Sequence, residues 1–123
     1  MTSTLLKPYI TLAELEHDCA NGLEDLLDYT IEQCVRYAIS VTKYMQALSG
    51  GIEDADRLAE TEEIRKRTHN ATMDSINALS RALKQSGRSN TWIMNVVGNR
   101  AAYGKLALLL AFEKIEQYQE EVS

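Results

Sequence analysis

The 123-residue sequence is poor in the residues that interrupt helices, with one proline, Pro8, and six glycines. An all-β fold needs turn residues between its strands, so this scarcity argues against such a fold. Long stretches without either residue are typical of helices. The most apolar run, residues 106–112, is also far shorter than the roughly 20 residues of a membrane-spanning helix. The composition therefore predicts an all-α protein that does not enter a membrane.

Cysteine is scarce as well, and the spacing of Cys19 and Cys34 matches neither a zinc site nor a redox pair. No secretory signal is visible, because the first residues lack a basic start followed by an apolar run. We interpret both cysteines as buried thiols and expect a cytoplasmic protein, since thiols persist in a reducing compartment. No complete motif implies a cofactor or a bound metal.

The net charge of −5 is unevenly distributed, because residues 64–105 carry +7 and the rest of the chain carries −12. An acidic protein is repelled by phosphate backbones, so general nucleic-acid binding is not expected. This uneven distribution of charge influences which partner the protein binds. We expect that partner to be another protein of unknown identity.

The length fits one domain over residues 1–123. Residues 1–10 are predicted to be a loosely ordered lead-in, because the Lys7-Pro8 pair disfavours helix. The segment Thr11–Glu14 has the pattern of a capping box, which opens a short helix to about Ala20.

A turn at Asn21-Gly22 is predicted to separate this helix from a second, longer one. Over Leu23–Leu48 the inward positions recur at alternating steps of four and three, as in a packed helix. The second helix is predicted to end at residues 49–51, where glycine tolerates a left-handed cap.

Two further helices complete the predicted fold. The third helix is predicted to begin at Asp54 or Asp56 and to end at Gln85, before Gly87. The fourth is predicted to begin at residues 89–91 and to reach about Glu121, and a break at Gly98-Asn99 is the alternative. The buried stripe of the last helix is predicted to comprise Val97, Ala101, Gly104, Leu108, Ala111, Ile115, Tyr118 and Val122. Short loops place neighbouring helices antiparallel. The prediction is an up-down antiparallel bundle of three long helices plus a short N-terminal helix.

The third helix carries three ionisable side chains at positions that its apolar repeat turns inward, namely Glu62, Arg65 and His69. Neighbours in this set can touch, and Tyr37 and Tyr44 of the antiparallel second helix can add hydroxyl groups. Such a polar cluster could hold an anion or transfer protons. Because buried charge is rare, we favour the alternative of a half-exposed polar layer at the border of the core.

A second candidate, called the basic pole here, lies at the turn after the third helix and contains Lys84, Arg88, Ser89, Asn90 and Trp92. Helix N-termini attract phosphate and carboxylate groups, and a tryptophan offers a surface for stacking a base. The alternative, which we favour, is that acids at the start of the second helix neutralise this pole, namely Glu24, Asp25, Asp28 and Glu32.

Paired glutamates provide a third candidate. Glu60 and Glu63 could meet Glu113 and Glu116 on antiparallel helices and hold magnesium, as in a metal-dependent nucleotide hydrolase. Acids three residues apart are common on the surfaces of helices, so this spacing is not specific.

Surplus apolar residues predict self-association. One set repeats every four residues on a separate face of the second helix and consists of Ile31, Val35 and Ile39. Another lies near the N-terminus and consists of Leu5, Leu6, Tyr9 and Ile10. The simplest assembly is a two-fold homodimer, and the alternative is that the short first helix covers this face within one chain. Since no catalytic set is complete, we predict a non-enzymatic helical protein-interaction module.

Overall fold

The computed structural model describes residues 10–50, 55–88 and 100–122, and every regular element in these ranges is an α-helix. The helices are α1 (Leu12–Cys19), α2 (Glu24–Ser49), α3 (Ala55–Gln85) and α4 (Arg100–Val122). They pack as a bundle with a short N-terminal helix, which confirms the predicted fold class. No described helix combines the length and apolarity that crossing a bilayer requires. The predicted lead-in before Ile10 and the predicted start of the last helix at 89–91 lie outside the described residues.

The first helix begins and ends as its sequence predicts. The Thr11 hydroxyl accepts a hydrogen bond from the Glu14 amide at 3.2 Å, and the Glu14 carboxylate accepts one from the Thr11 amide at 2.9 Å. After α1 the chain turns through Asn21 and Gly22, with φ angles of 68° and 124°. The Glu24 carboxylate accepts hydrogen bonds from the amides of this turn, at 2.9 and 2.8 Å. Backbone N–H donors, its own among them, hold the pKa of Glu24 below its ordinary value.

The two long central helices end by different means. Gly50 follows α2 in a right-handed conformation, with φ −75° and ψ −10°, so the left-handed cap expected there is not made by this glycine. Gly51 lies outside the described residues. Gly87 follows α3 with φ 72°, and the amide of Arg88 donates to the carbonyl of Leu83 at 2.8 Å. This is a left-handed stop at the predicted place.

Helix α2 lies at the centre of the bundle, and both α3 and α4 run antiparallel to it. The Thr72 hydroxyl donates to the Gln33 carbonyl at 3.1 Å, and the Ser40 and Thr68 hydroxyls pair at 2.7 Å. The later residue of α2 thus contacts the earlier residue of α3, as antiparallel packing requires. On α4, Gly104 lies beside Tyr37 near the middle of α2. Nine residues later, Glu113 accepts a hydrogen bond from the Leu12 amide at 3.1 Å, beside the first turns of α2.

The core is built from apolar side chains of all four helices. Leu27 is 5% exposed and Ile76 is 1% exposed, as the apolar repeats predict. The predicted stripe of α4 is partly wrong, because Ile115 and Tyr118 are 39% and 64% exposed. Gly104 and Ala111 of the predicted stripe are buried. The other buried residues of α4 were not predicted, and they are Ala102, Tyr103, Leu106, Ala107 and Leu110. The middle of α4 is apolar nearly all round, so spacing alone did not select the buried face.

Two leucines on α4 test this assignment of faces. Leu106 is fully buried, whereas Leu109 is 46% exposed. We expect Leu106→Ala to lower the free energy of unfolding by about 3 kcal/mol, because it removes buried methyl groups and leaves a cavity. Leu109→Ala should lower it by less than about 1 kcal/mol. Urea denaturation followed by circular dichroism at low protein concentration measures both, and equal losses would contradict the assignment.

Both cysteines are buried and form no disulfide. Burial raises the pKa of the Cys34 thiol from 9.0 to about 12. Burial, with a smaller contribution from the charge of Asp18, raises the pKa of Cys19 to about 11. Both thiols therefore stay protonated at neutral pH, which makes them poor nucleophiles.

This burial predicts a loss of stability at alkaline pH. In the unfolded chain the Cys34 thiol ionises near its ordinary pKa of 9.0, whereas in the folded protein it holds its proton to about pH 12. The unfolded state therefore binds fewer protons between these values, and the free energy of unfolding falls as pH rises through them. Cys34→Ala should show a shallower fall than the parent protein in urea titrations between pH 8 and pH 10.5. Identical slopes would count against the burial.

Candidate functional site

The interface between α2 and α3 is lined by small hydroxyl side chains. Thr30, Thr72 and Ser75 are buried there, and each donates to the carbonyl four residues before it, at 2.8 to 2.9 Å. Thr72 and Thr30 also reach carbonyls of the opposite helix. Since these hydroxyls bond to backbone oxygens, they are buried without leaving unpaired polar groups.

This packing decides how the polar segment of α3 lies. Between the start of α3 and Thr72 only Thr61 is buried, with 8% exposed, while Thr68 is half-buried. Arg65 and His69 are half-buried beside them, at the border of the core. Both side chains therefore lie between the core and the solvent, partly exposed.

Four of the five residues of the predicted polar cluster lie close together. The guanidinium carbon of Arg65 lies 4.9 Å from the centre of the Tyr44 ring, which is the geometry of a cation–π contact. The rings of Tyr37 and His69 meet edge to face, with 5.4 Å between their centres. The fifth residue, Glu62, instead lies 3.8 Å from the ammonium group of Lys66 in an exposed pair one turn along α3.

Arg65 has an unusual feature. Its Nε atom is buried and makes no hydrogen bond within the described part of the chain. Buried polar groups are nearly always paired, and an unpaired one calls for an explanation. The contact with Tyr44 orients the guanidinium group but leaves this N–H donor without an acceptor.

Gly104 of α4 faces the Tyr37–His69 pair. A Cβ atom at this position would lie 3.2 Å from the Tyr37 hydroxyl and 3.7 Å from His69 Nε2. The absence of a side chain thus lets the backbone of α4 approach both polar atoms closely. Gly104 was predicted on the buried stripe of α4, but not as part of a site.

These residues line a groove of about 610 Å³ where α2, α3 and α4 meet. We call it the three-helix groove. Its lining consists of Tyr37, Arg65, Lys66, His69, Asn70, Ala101 and Gly104. Among the described residues of this lining, two carry a positive charge and none carries a carboxylate.

The basic pole is described only in part, because Ser89, Asn90 and Trp92 lie outside the described residues. Lys84 is exposed near the end of α3. The Arg88 guanidinium donates to the carbonyls of Asp18, Ala20 and Asn21 at 3.0, 2.7 and 3.2 Å. These oxygens lie at the end of α1, where carbonyls lack helical partners and the helix dipole is negative. Arg88 therefore binds the end of α1.

The glutamate pairs do not meet. Glu60 and Glu63 precede Thr68, which pairs with Ser40, so they lie toward the end of α2. Glu113 accepts a hydrogen bond from Leu12 at the opposite end of the bundle. Within residues 10–50, 55–88 and 100–122, no three His, Cys, Asp or Glu side chains gather in a way that could hold a metal ion.

Comparison with known proteins adds no functional information. The chain matches no family model, no curated protein and no solved structure. A function must therefore be argued from the geometry of the described residues.

The contact between Arg88 and α1 can be tested by substitution. Arg88→Met removes charged hydrogen bonds to three carbonyls, which we expect to lower the free energy of unfolding by about 2 kcal/mol. Arg81→Met, at an exposed position near the end of α3, is the matched control and should change it by less than about 0.5 kcal/mol. Urea denaturation measures both, and equal effects would mean that Arg88 does not hold the end of α1.

Proposed function

We propose that this protein is a non-enzymatic helical interaction module that associates with a second copy of itself through the outer face of α4. The observation that carries the proposal is an exposed apolar pair on that face. Leu109 and Phe112 are 46% and 56% exposed, and Phe112 is the only phenylalanine in the chain. Exposed large apolar side chains that lie together on one helix face are typical of protein interfaces.

The charges around this pair make the face self-complementary. Lys105 and Glu116 are exposed and lie on the same side of α4 as Leu109 and Phe112, four residues before and four after the pair. A two-fold axis perpendicular to α4, midway between residues 110 and 111, would set two copies of the helix antiparallel. It would bring Leu109 against the partner's Phe112 and Lys105 against the partner's Glu116. One axis thus satisfies both the apolar and the charged pairs.

The expected association is weak and concentration-dependent. Fully burying a leucine or phenylalanine contributes about 1.5–3 kcal/mol, so these half-exposed side chains would contribute about 1 kcal/mol each. The loss of translational and rotational freedom opposes this gain.

Other expectations from the sequence are less well supported. Binding of phosphate or nucleic acid at the basic pole would need Arg88, which is bonded to the end of α1. A magnesium-dependent hydrolase would need the glutamate pairs to meet. We further propose a cytoplasmic location, and the two cysteines without a disulfide support it.

Charge exchange tests the proposed dimer. Lys105→Glu and Glu116→Lys should each weaken dimerisation by roughly tenfold, because two attractive pairs become repulsive. The double variant should restore it, because the pairs re-form with opposite sign. Sedimentation equilibrium over a range of protein concentrations measures the dissociation constants.

Lys114→Glu provides the control, since Lys114 lies on another face of α4, beside the groove that α1 and α2 line. This charge reversal should leave the dissociation constant unchanged. Phe112→Asp should abolish dimerisation altogether. A parent protein that stays monomeric at millimolar concentration would overturn the proposal, and so would a double variant as weak as the two singles.

A further inference from the structure

The three-helix groove concentrates hydrogen-bond donors and positive charge in an otherwise acidic protein. Arg65 and Lys66 supply two cations, and Asn70 and Tyr37 add amide and hydroxyl groups. The chain as a whole carries a net charge of −5, yet none of the groove-lining residues that the structure describes is a carboxylate. A lining of this kind favours an anionic ligand.

Arg65 has two features that suit an anionic ligand, a guanidinium group held in place and an N–H donor that pairs with no described residue. Its guanidinium group lies against the Tyr44 ring, with 4.9 Å between the guanidinium carbon and the ring centre, which limits its movement. Its Nε atom is buried without a hydrogen-bond partner among the described residues. A guanidinium group binds oxyanions through two parallel N–H donors. The Nε atom has almost no accessible surface, so an oxyanion in the groove would first meet the terminal N–H groups of the same guanidinium, and a shift of the side chain would bring Nε–H to a second oxygen.

The smallest residues of α4 let its backbone form the floor of the groove. Gly104 has no side chain where a Cβ atom would lie 3.2 Å from the Tyr37 hydroxyl and 3.7 Å from His69 Nε2. Ala101 lies one turn earlier on the same lining. The Tyr37 hydroxyl and the His69 ring nitrogen therefore lie close together on one side of the groove, next to the α4 backbone.

We propose that the three-helix groove binds a small phosphorylated molecule, with its phosphate on Arg65, Tyr37 and His69. Phosphate has the tetrahedral set of oxygens that several donors can share. The groove volume of about 610 Å³ is typical of sites for small organic ligands and leaves room for more than a phosphate group. The exposed Glu62–Lys66 pair at 3.8 Å lies beside the site. Such surface pairs are weak, so Lys66 can turn toward the ligand.

The first experiment is an NMR titration of the full-length protein with inorganic phosphate and with adenosine monophosphate, at constant ionic strength. We expect both to shift the resonances of Tyr37, His69 and Gly104, with tighter binding of the nucleotide. Arg65→Met should weaken both by at least tenfold. Arg67→Met, which removes an equal charge from an exposed position on the same helix, should weaken them by less than twofold. Equal effects of the two variants would reduce the site to general attraction by charge and overturn the proposal.

Gly104→Ala tests the geometry without removing any charge. Its methyl group would lie 3.2 Å from the Tyr37 hydroxyl, so it should displace that donor and weaken phosphate binding, while the α-helical circular dichroism signal stays unchanged. If Gly104→Ala binds as the parent does, the assigned position of the phosphate is wrong.

A short single-stranded RNA forms the last arm of the experiment. If RNA shifts the groove resonances and the two small ligands do not, the ligand is a nucleic acid and the proposal fails.

Discussion

The close packing of α2 on α3 through serine and threonine is the constraint on which the rest of the structure depends. Hydroxyl groups at this interface bond to carbonyls of their own helix and of the opposite one, as Thr72 does with Thr68 and Gln33. The interface thereby buries polar atoms and keeps them paired. Because short side chains fill it, the longer Arg65 and His69 are displaced to its border, where they contact the tyrosines of α2.

Features that depend on neighbouring residues were predictable from the sequence. The capping box of α1 and the turn at Asn21-Gly22 each follow from the chemistry of a few adjacent positions. The stop at Gly87 also follows from one residue type, because a left-handed conformation favours glycine. The bonds of Arg88 to the end of α1 join residues about 70 positions apart. No local pattern indicates which cation will reach these carbonyls.

The candidate site was predictable in its residue types but not in its arrangement. Helical spacing and an antiparallel neighbour were enough to group Arg65 and His69 with Tyr37 and Tyr44, and the structure has these four in contact pairs. The contribution of α4 to the groove was not predicted, because the importance of Gly104 depends on where α4 crosses α2 and α3. A glycine at an inward position of an apolar helix is the signal that was available. It indicates a close approach, although it does not say to what.

The distribution of side-chain sizes around α4 explains why its buried face was difficult to predict and why its outer face matters. The inward side includes small residues, Ala102, Ala107 and Ala111 among them, which let the helix lie close to the bundle. Large apolar residues such as Phe112 lie on the outside. A helix that served only the core of a monomer would gain from the reverse arrangement, since large side chains contribute most when buried. The outward placement of Phe112 beside complementary charges is therefore the strongest physical reason to consider α4 an interface.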